Sequence, residues 1–182
     1  MGNLDGHELA QAFHATREQS ENACKTLELE DHGLQAAAFC SPPKWHLAHT
    51  SWFFETFLLK PFATGYKVHN PVYEKLFNSY YNTIGQPFPR PQRGLLSRPT
   101  FSQVLTYRQH VNQAISDLLA DDSNRYRDTI VQRCRLGIEH EKQHQELFYT
   151  DIKYSFSKNP LYPALTSRTV SHSPGVEDMC WQ

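Results

Sequence analysis

Apolar residues recur at helical spacing in four long stretches of the chain, and the strict alternation that is typical of a β-strand is absent from the sequence pattern. Within each stretch the apolar side chains stand three or four positions apart, which places them on one face of a helix. Such a face has to be buried against a neighbour. The pattern therefore predicts long amphipathic helices over residues 5–28, 43–60, 101–120 and 124–156.

Several of these helix boundaries carry a chemical signal. Ser41 is followed by two prolines and is a candidate N-cap for the second helix, because the N–H that proline lacks is not needed in the first turn. Pro61 predicts that this helix ends at Lys60, since proline cannot donate the next helical hydrogen bond. Thr100 followed by Gln103 is a capping-box signature and predicts the start of the third helix.

Residues 61–99 interrupt the helical pattern with six prolines and three glycines, and only a short helix over residues 72–81 is predicted there. A segment of this length without regular structure is usually functional or mobile. Four long helices with one long crossover loop predict an all-α fold, a four-helix bundle. After Pro160 the periodicity is lost, which predicts an irregular C-terminal tail. We therefore expect a helical domain over residues 1–160 and a linker over residues 161–182.

Composition and charge narrow the class of protein. The chain carries 18 Lys and Arg residues against 19 Asp and Glu residues, which argues against binding driven by the phosphates of a nucleic acid. No apolar run is long enough to cross a bilayer and no secretory signal is visible, so we expect a cytoplasmic protein without a membrane partner. The four cysteines form no CxxC pair, and we interpret them as reduced thiols.

The fourth predicted helix contains the sequence HEKQH at residues 140–144. Two histidines four positions apart lie one above the other on a helix and can hold one ion. They continue a stripe through Leu136 and Leu147, which predicts that both rings point into the bundle. Polar rings inside a core need a partner, so the pattern favours metal binding over a pair of solvated or hydrogen-bonded histidines.

A metal site inside a bundle needs a further ligand from a facing helix. The second predicted helix offers two candidates, His46 and His49. His49 shares its side of the helix with Trp45 and Trp52, which favours it modestly as the inward-facing residue. Three neutral imidazoles would leave open coordination positions, an arrangement that suits non-haem Fe(II) and also Zn(II).

The HExxH pattern also occurs in zinc proteases, in which the glutamate is the general base. That interpretation would give Glu141 the role of base. It is the weaker one here, because such proteases usually take a further ligand downstream, and the residues that follow His144 are few and mostly without predicted structure.

Three longer motifs, occurring in the expected order, resemble one protein family. They are SPPKWHLAHT and WFFETF within residues 41–57, FPRPQRGLLSRPT at residues 88–100, and HEKQHQEL with TDIK within residues 140–153. These motifs are similar to the N-terminal DinB-like domain of the EgtB sulfoxide synthases of ergothioneine biosynthesis, and the resemblance covers most of residues 5–165.

The resemblance implies a mononuclear non-haem iron enzyme that uses O2. Members of this family join the sulfur of cysteine or gamma-glutamylcysteine to the imidazole C2 of hercynine and form a sulfoxide. By this resemblance Arg90 and Arg93 contact the carboxylate of the thiol substrate, and Gln143 lies near the hercynine side of the iron. The ligands of the iron correspond to His49, His140 and His144.

The family also has a C-terminal domain resembling formylglycine-generating enzymes, which supplies much of the hercynine pocket and has no counterpart in these 182 residues. We therefore expect this chain to bind iron and to show little or no synthase activity by itself. One alternative is a stand-alone DinB-like thiol S-transferase that uses zinc or nickel. Another is a non-catalytic domain that binds a partner chain. The PRPQR motif and the trailing linker favour the synthase family over the transferase.

Overall fold

The computed structural model describes residues 6–79 and 85–166 of the chain. Its helices are α1 (Gly6–Ala23), α2 (Pro43–Phe54), α3 (Lys60–Phe62), α4 (Tyr73–Phe77), α5 (Phe101–Ala120) and α6 (Arg127–Ser157). A π-helical segment, Glu55–Leu59, joins α2 to α3, and two 3-10 segments cover Glu30–Gly33 and Arg90–Leu95. The described residues contain no strand, and the predicted all-α class is confirmed.

The four long helices α1, α2, α5 and α6 pack against one another, and α4 in the crossover packs against α2. Helix α2 is central, since all of its residues except Lys44 are buried. Helix α6 approaches it closely at Gly137, where a Cβ atom would collide with the ring of Phe54. Within the described part of the chain, no helix combines the length and the apolar character that crossing a membrane would require.

The second helix does not end at Lys60 as predicted from Pro61. It continues through the π-helical segment and α3 to Phe62. Pro61 leaves the carbonyl of Phe57 without its helical donor, and the Nη1 of Arg133 donates to that oxygen at 2.9 Å. A side chain from α6 thus replaces the missing N–H, which is why proline is tolerated here.

The two predicted caps have different outcomes. The capping box is confirmed, because the N–H of Gln103 donates to Oγ1 of Thr100 and the N–H of Thr100 donates to Oε1 of Gln103. Ser41 is not the N-cap of α2; that position is Pro42, and no side chain caps it. The hydroxyl of Ser41 instead accepts a hydrogen bond from Arg93 at 2.9 Å.

The C-terminal end of α1 and the N-terminal end of α6 lie inside their predicted bounds, and side chains bind backbone N–H groups in both regions. Helix α1 ends at Ala23 instead of residue 28, where the N–H of Glu28 donates to the carboxylate of Asp31. Helix α6 begins at Arg127, since Oδ1 of Asn124 accepts from the N–H of Tyr126 in the preceding turn. Asp and Asn compete with helical hydrogen bonds in this way at many helix ends.

The short crossover helix is also shorter than predicted. It covers Tyr73–Phe77 instead of residues 72–81, and the backbone of Asn78 is extended. Residues 80–84 lie outside the described residues. The same holds for residues 167–182 of the expected linker, while residues 161–166 form no helix or strand. The division into a domain and a linker stays a prediction.

The buried face of α6 differs from the predicted stripe. Leu136, expected to point inward, is 61% exposed. The buried positions are instead shifted by about one residue and include Gly137, Ile138 and Glu141. Consequently His140 and His144 lie at the edge of the core, where one side of each ring faces a cavity, and not in its centre.

Candidate metal centre

Three histidines from two helices converge at the edge of the bundle. His49 of α2 and the pair His140 and His144 of α6 each offer one imidazole nitrogen, and these nitrogens all lie within 4.8 Å of one another. His49 is buried, whereas the other two are partly exposed. Among residues 6–79 and 85–166, this is the only group of three or more His, Cys, Asp or Glu side chains close enough to share an ion.

Aromatic neighbours hold two of these rings in place. The ring of His49 stacks on Trp45, at 4.6 Å between centroids, and on Trp52, at 5.4 Å. The ring of His140 stacks on Phe53 at 4.3 Å. Because these contacts restrict ring rotation, the nitrogens stay directed toward one point before any ion binds.

The orientation of His49 is also fixed by a hydrogen bond. Its Nδ1 lies 2.5 Å from the carbonyl oxygen of Phe77 at the end of α4, and a carbonyl can only accept. The proton of this ring is therefore on Nδ1, and Nε2 keeps its lone pair. The short crossover helix thus prepares His49 to act as a ligand.

The spacing between the nitrogens of His49 and His140 fits a shared metal ion. Nε2 of His49 lies 3.3 Å from Nε2 of His140. Two imidazole nitrogens bound to one ion at about 2.1 Å stand about 3.0–3.4 Å apart in tetrahedral or octahedral geometry. Three nitrogen donors without a thiolate or carboxylate suit Fe(II) and Zn(II), and an ion held by them would have coordination positions left for further ligands.

The environment keeps the imidazoles in the neutral form that a metal requires. Burial lowers the pKa of His140 to about 4, and burial together with the neighbouring His140 lowers the pKa of His49 well below its usual value. The pKa of His144 is lowered chiefly by burial and further by the surrounding histidines. Neutral rings do not have to lose a proton before they bind an ion.

His46, the other candidate on α2, is not part of this cluster. Its Nδ1 lies 3.0 Å from Nδ1 of His144, and its Nε2 lies 3.1 Å from Oδ2 of Asp151. Both ring nitrogens therefore have protein partners. The structure brings together His49 and the two histidines of α6, and it places His46 beside them.

A cavity of about 360 Å³ opens beside the histidines. It lies between α6 and the 3-10 segment Arg90–Leu95, so the crossover forms its opposite wall. All three residues that the family resemblance assigns to substrate binding border it together with two of the histidines. These lining residues are Arg90, Arg93, His140, Gln143 and His144.

The two arginines of this wall differ in how firmly they are held. Arg93 is buried, its guanidinium carbon lies 3.4 Å from the centroid of the Trp45 ring, and its Nη1 donates to Ser41. Arg90 is partly exposed, and its buried Nε has no hydrogen-bond partner among the described residues. A guanidinium with unused donors, next to a second one that is fixed, is suited to bind a carboxylate.

Gln35, which was not predicted as a functional residue, anchors this arginine segment. Its Nε2 donates to the carbonyls of Cys40 and Arg90, at 2.6 and 2.8 Å, and its Oε1 accepts from the N–H of Gly94. One amide side chain thereby fixes both ends of the segment Arg90–Leu95 against the body of the protein. The cavity wall is held in position by this contact as well as by its prolines.

A second polar cluster, which was not predicted from the sequence, lies beside the histidines on α6. It consists of Arg17, Ser20, Arg108 and Glu141, and we call it the ionic cluster. The carboxylate of Glu141 accepts from Arg17 at 2.8 Å, from Arg108 at 3.0 Å and from Ser20 at 2.7 Å. Although burial opposes it, the two guanidinium groups lower the pKa of Glu141. A carboxylate saturated in this way cannot act as the base of a zinc protease, so the protease interpretation is set aside.

A sequence model of the DinB superfamily matches residues 12–148 of the chain, a range that includes every candidate ligand and all three cavity residues of the family resemblance. No curated protein gives a significant match.

Proposed function

Because the chain belongs to the DinB superfamily, we propose that it is the metal-holding domain of a non-haem Fe(II), O2-dependent sulfoxide synthase. In this proposal the enzyme joins the sulfur of cysteine or gamma-glutamylcysteine to the imidazole C2 of hercynine. The metal ligands are His49, His140 and His144. The observation that carries the proposal is the shared cavity, which places two arginines opposite two of the ligand histidines.

The arginines define the class of substrate. Arg90 and Arg93 present guanidinium groups to the same cavity as His140 and His144. A small amino acid thiol can reach both features at once, with its carboxylate at the arginines and its sulfur at the ion. The charge of Arg93 is retained at the cavity wall by the ring of Trp45, so the cavity keeps a fixed positive side.

The remaining roles follow from charge and position. Fe(II), when bound, would supply the redox chemistry with O2. Three neutral histidines leave the full charge of the ion uncompensated, which favours the thiolate form of a bound thiol. Gln143 is exposed at the rim of the cavity and offers an amide donor and acceptor to the imidazole of hercynine.

We further propose that residues 161–182 lead to a C-terminal domain resembling formylglycine-generating enzymes, which would complete the hercynine pocket. The site is cytoplasmic in this proposal, and its partners are small molecules. Without the second domain the cavity stays open to water, and the positioning that makes such a reaction fast is missing.

The alternative, a stand-alone metal-dependent thiol S-transferase, rests on the donor set. Three neutral nitrogens with open positions fit Zn(II) as well as Fe(II). This alternative predicts that the zinc-loaded chain conjugates cysteine to a soluble electrophile such as monobromobimane without O2, and that His140→Ala abolishes the conjugation. The synthase proposal predicts no such metal-dependent conjugation.

Calorimetry with three matched ligands tests the proposal directly. Cysteine, serine and cysteamine are titrated anaerobically into the Fe(II)-loaded and the metal-free chain. Serine lacks the sulfur and cysteamine lacks the carboxylate, so both should bind at least about tenfold more weakly than cysteine. Removal of the metal should reduce the affinity for cysteine to the affinity for serine. Equal binding of cysteine and cysteamine would contradict the role of the arginines, and equal binding with and without metal would contradict the role of the ion.

A further inference from the structure

The three candidate ligands differ in what holds their second ring nitrogen. His49 uses the carbonyl of Phe77. The Nδ1 of His140 is buried and has no hydrogen-bond partner among the described residues. His144 has a side-chain partner, His46, which in turn contacts Asp151. Only this last arrangement links a ligand to a carboxylate.

The contacts of Asp151 fix the direction of the hydrogen bonds. Its Oδ2 accepts from the backbone N–H of Ser41 at 2.8 Å and lies 3.1 Å from Nε2 of His46. Both Asp151 and His46 are buried, at 4% exposure each. A carboxylate has no proton to donate and can only accept. The ring proton of His46 is therefore on Nε2.

This protonation determines which nitrogen of His144 faces the ion. With its proton on Nε2, His46 has a lone pair on Nδ1, 3.0 Å from Nδ1 of His144. A hydrogen bond between these atoms requires the proton to be on Nδ1 of His144. The lone pair of His144 is then on Nε2, the nitrogen on the far side of the ring from His46.

We propose that Asp151 and His46 form a hydrogen-bonded chain that fixes the tautomer and orientation of His144, so that its Nε2 is presented to the metal. His46 is thus a positioning residue and not a ligand. This inference rests on the metal centre of the proposed function. Carboxylate–histidine pairs behind a ligand histidine typically contribute about 10- to 100-fold to metal affinity.

Substitutions at His46 separate a positioning role from ligation. His46→Leu removes the acceptor and should weaken Co(II) binding about 10- to 100-fold, measured by chelator competition. His46→Asn places Oδ1 close to the position of Nδ1 and keeps an acceptor for His144, so its affinity should stay within a few-fold of the parent chain. His144→Ala should bind no Co(II) at this site. The d–d absorption of bound Co(II) should change in His46→Leu and be restored in His46→Asn.

The tautomers can also be measured without a metal, in the parent chain and in Asp151→Asn. Long-range ¹H–¹⁵N NMR of the histidine rings should show His46 protonated on Nε2 and His144 protonated on Nδ1. In Asp151→Asn the amide oxygen still accepts from Ser41, so the fold is kept while the acceptor of His46 is weakened. We expect a mixture of His144 tautomers in this variant.

The outcomes distinguish this proposal from the metal centre itself. His144 protonated on Nε2 in the parent chain would overturn the hydrogen-bonded chain. Parental Co(II) affinity in a folded His46→Leu would overturn it as well, while leaving the metal centre intact. Loss of binding in both His46 variants, as complete as in His144→Ala, would make His46 a ligand. A parent chain that binds no Co(II) but shows the expected tautomers would contradict the metal centre and leave the assigned hydrogen bonds standing.

Discussion

Two polar clusters meet on α6, and they differ in how completely the protein satisfies them. In the ionic cluster every oxygen of Glu141 accepts a hydrogen bond from a buried side chain on α1 or α5. In the histidine cluster, by contrast, His49 directs an unprotonated nitrogen at its neighbours, and the rings of α6 border an open cavity. The two clusters occupy adjacent positions in sequence, since Glu141 directly follows His140.

The difference indicates which cluster holds the fold and which binds a ligand. A saturated ion pair between three helices has no donor or acceptor left for a substrate, and its removal exposes buried charges. Nitrogens that are positioned by hydrogen bonds and aromatic contacts, but lack a shared partner, are suited to an ion that arrives after folding. Substitutions in the two clusters should therefore have different effects on stability and on ligand binding.

Glu141→Gln should have the largest effect on stability. The substitution leaves the buried guanidinium group of Arg17 without its ion-pair partner and leaves Arg108 with Glu21 as its remaining partner. We therefore expect the free energy of unfolding to fall by about 3–5 kcal/mol. Glu139→Gln is the matched control, because Glu139 is exposed and forms an ion pair with the exposed Lys142 on the same helix. Urea denaturation measures both variants. A loss below 1 kcal/mol in Glu141→Gln would contradict the structural role of the ionic cluster.

His140→Ala, in contrast, should weaken metal binding and have little effect on stability. Removal of one of three ligands should lower the affinity for Fe(II) at least about a hundredfold, which corresponds to about 2.7 kcal/mol, with little change in the stability of the metal-free chain. His14→Ala, at an exposed position on α1, is the control and should bind Fe(II) like the parent. Anaerobic chelator competition measures the affinity. If both variants bind equally well, His140 is not a ligand.

Arg90→Ala should have an intermediate effect that is confined to the thiol ligand. A hydrogen bond to a charged group contributes about 1.5–3 kcal/mol, so cysteine should bind the iron-loaded variant about 10- to 100-fold more weakly while Fe(II) affinity is unchanged. Arg98→Ala controls for the loss of a positive charge, since Arg98 is exposed and donates a hydrogen bond to the carbonyl of Ser97 in the same loop. Equal weakening in both variants would indicate a general effect of charge.

A smaller effect is expected from His32, which belongs to neither cluster. Burial lowers its pKa to about 4, and its ring stacks on Phe101 at 3.5 Å. Between pH 4 and about 6.5 the unfolded chain binds a proton that the folded chain does not, so stability should decline as the pH falls through this range. In His32→Phe, which keeps the stacking, the decline should be less steep. Denaturation curves of the metal-free chains at several pH values measure the slope, and an unchanged slope would contradict the assignment.

The helices were predictable because their signals are local. Amphipathic spacing and the capping box at Thr100 depend on residues a few positions apart, and both are present in the structure. The predictions that were wrong involved contacts with residues far away in the sequence. Pro61 does not end its helix, because Arg133 from α6 binds the freed carbonyl, and Ser41 caps no helix, because Arg93 takes its hydroxyl.

The same distinction applies to the candidate site. The spacing of His140 and His144 places them on one side of a helix whatever the rest of the chain does. The helical pattern favoured His49 over His46 only modestly, because the two residues are distinguished by Asp151 and by the carbonyl of Phe77, which only the tertiary structure brings near. The ionic cluster was missed for the same reason, although an arginine among the apolar positions of a predicted helix, such as Arg17 or Arg108, is a signal that a buried partner exists.

Iron K-edge X-ray absorption spectroscopy tests the central claim, a three-histidine iron site that is open to a thiol, most directly. The chain is loaded anaerobically with Fe(II) and measured before and after cysteine is added, with His140→Ala as the control. We predict a first shell of nitrogen and oxygen only before the addition, and one sulfur at about 2.3 Å after it. A sulfur scatterer present before cysteine is added, or a first shell that saturating cysteine leaves unchanged, would contradict the account.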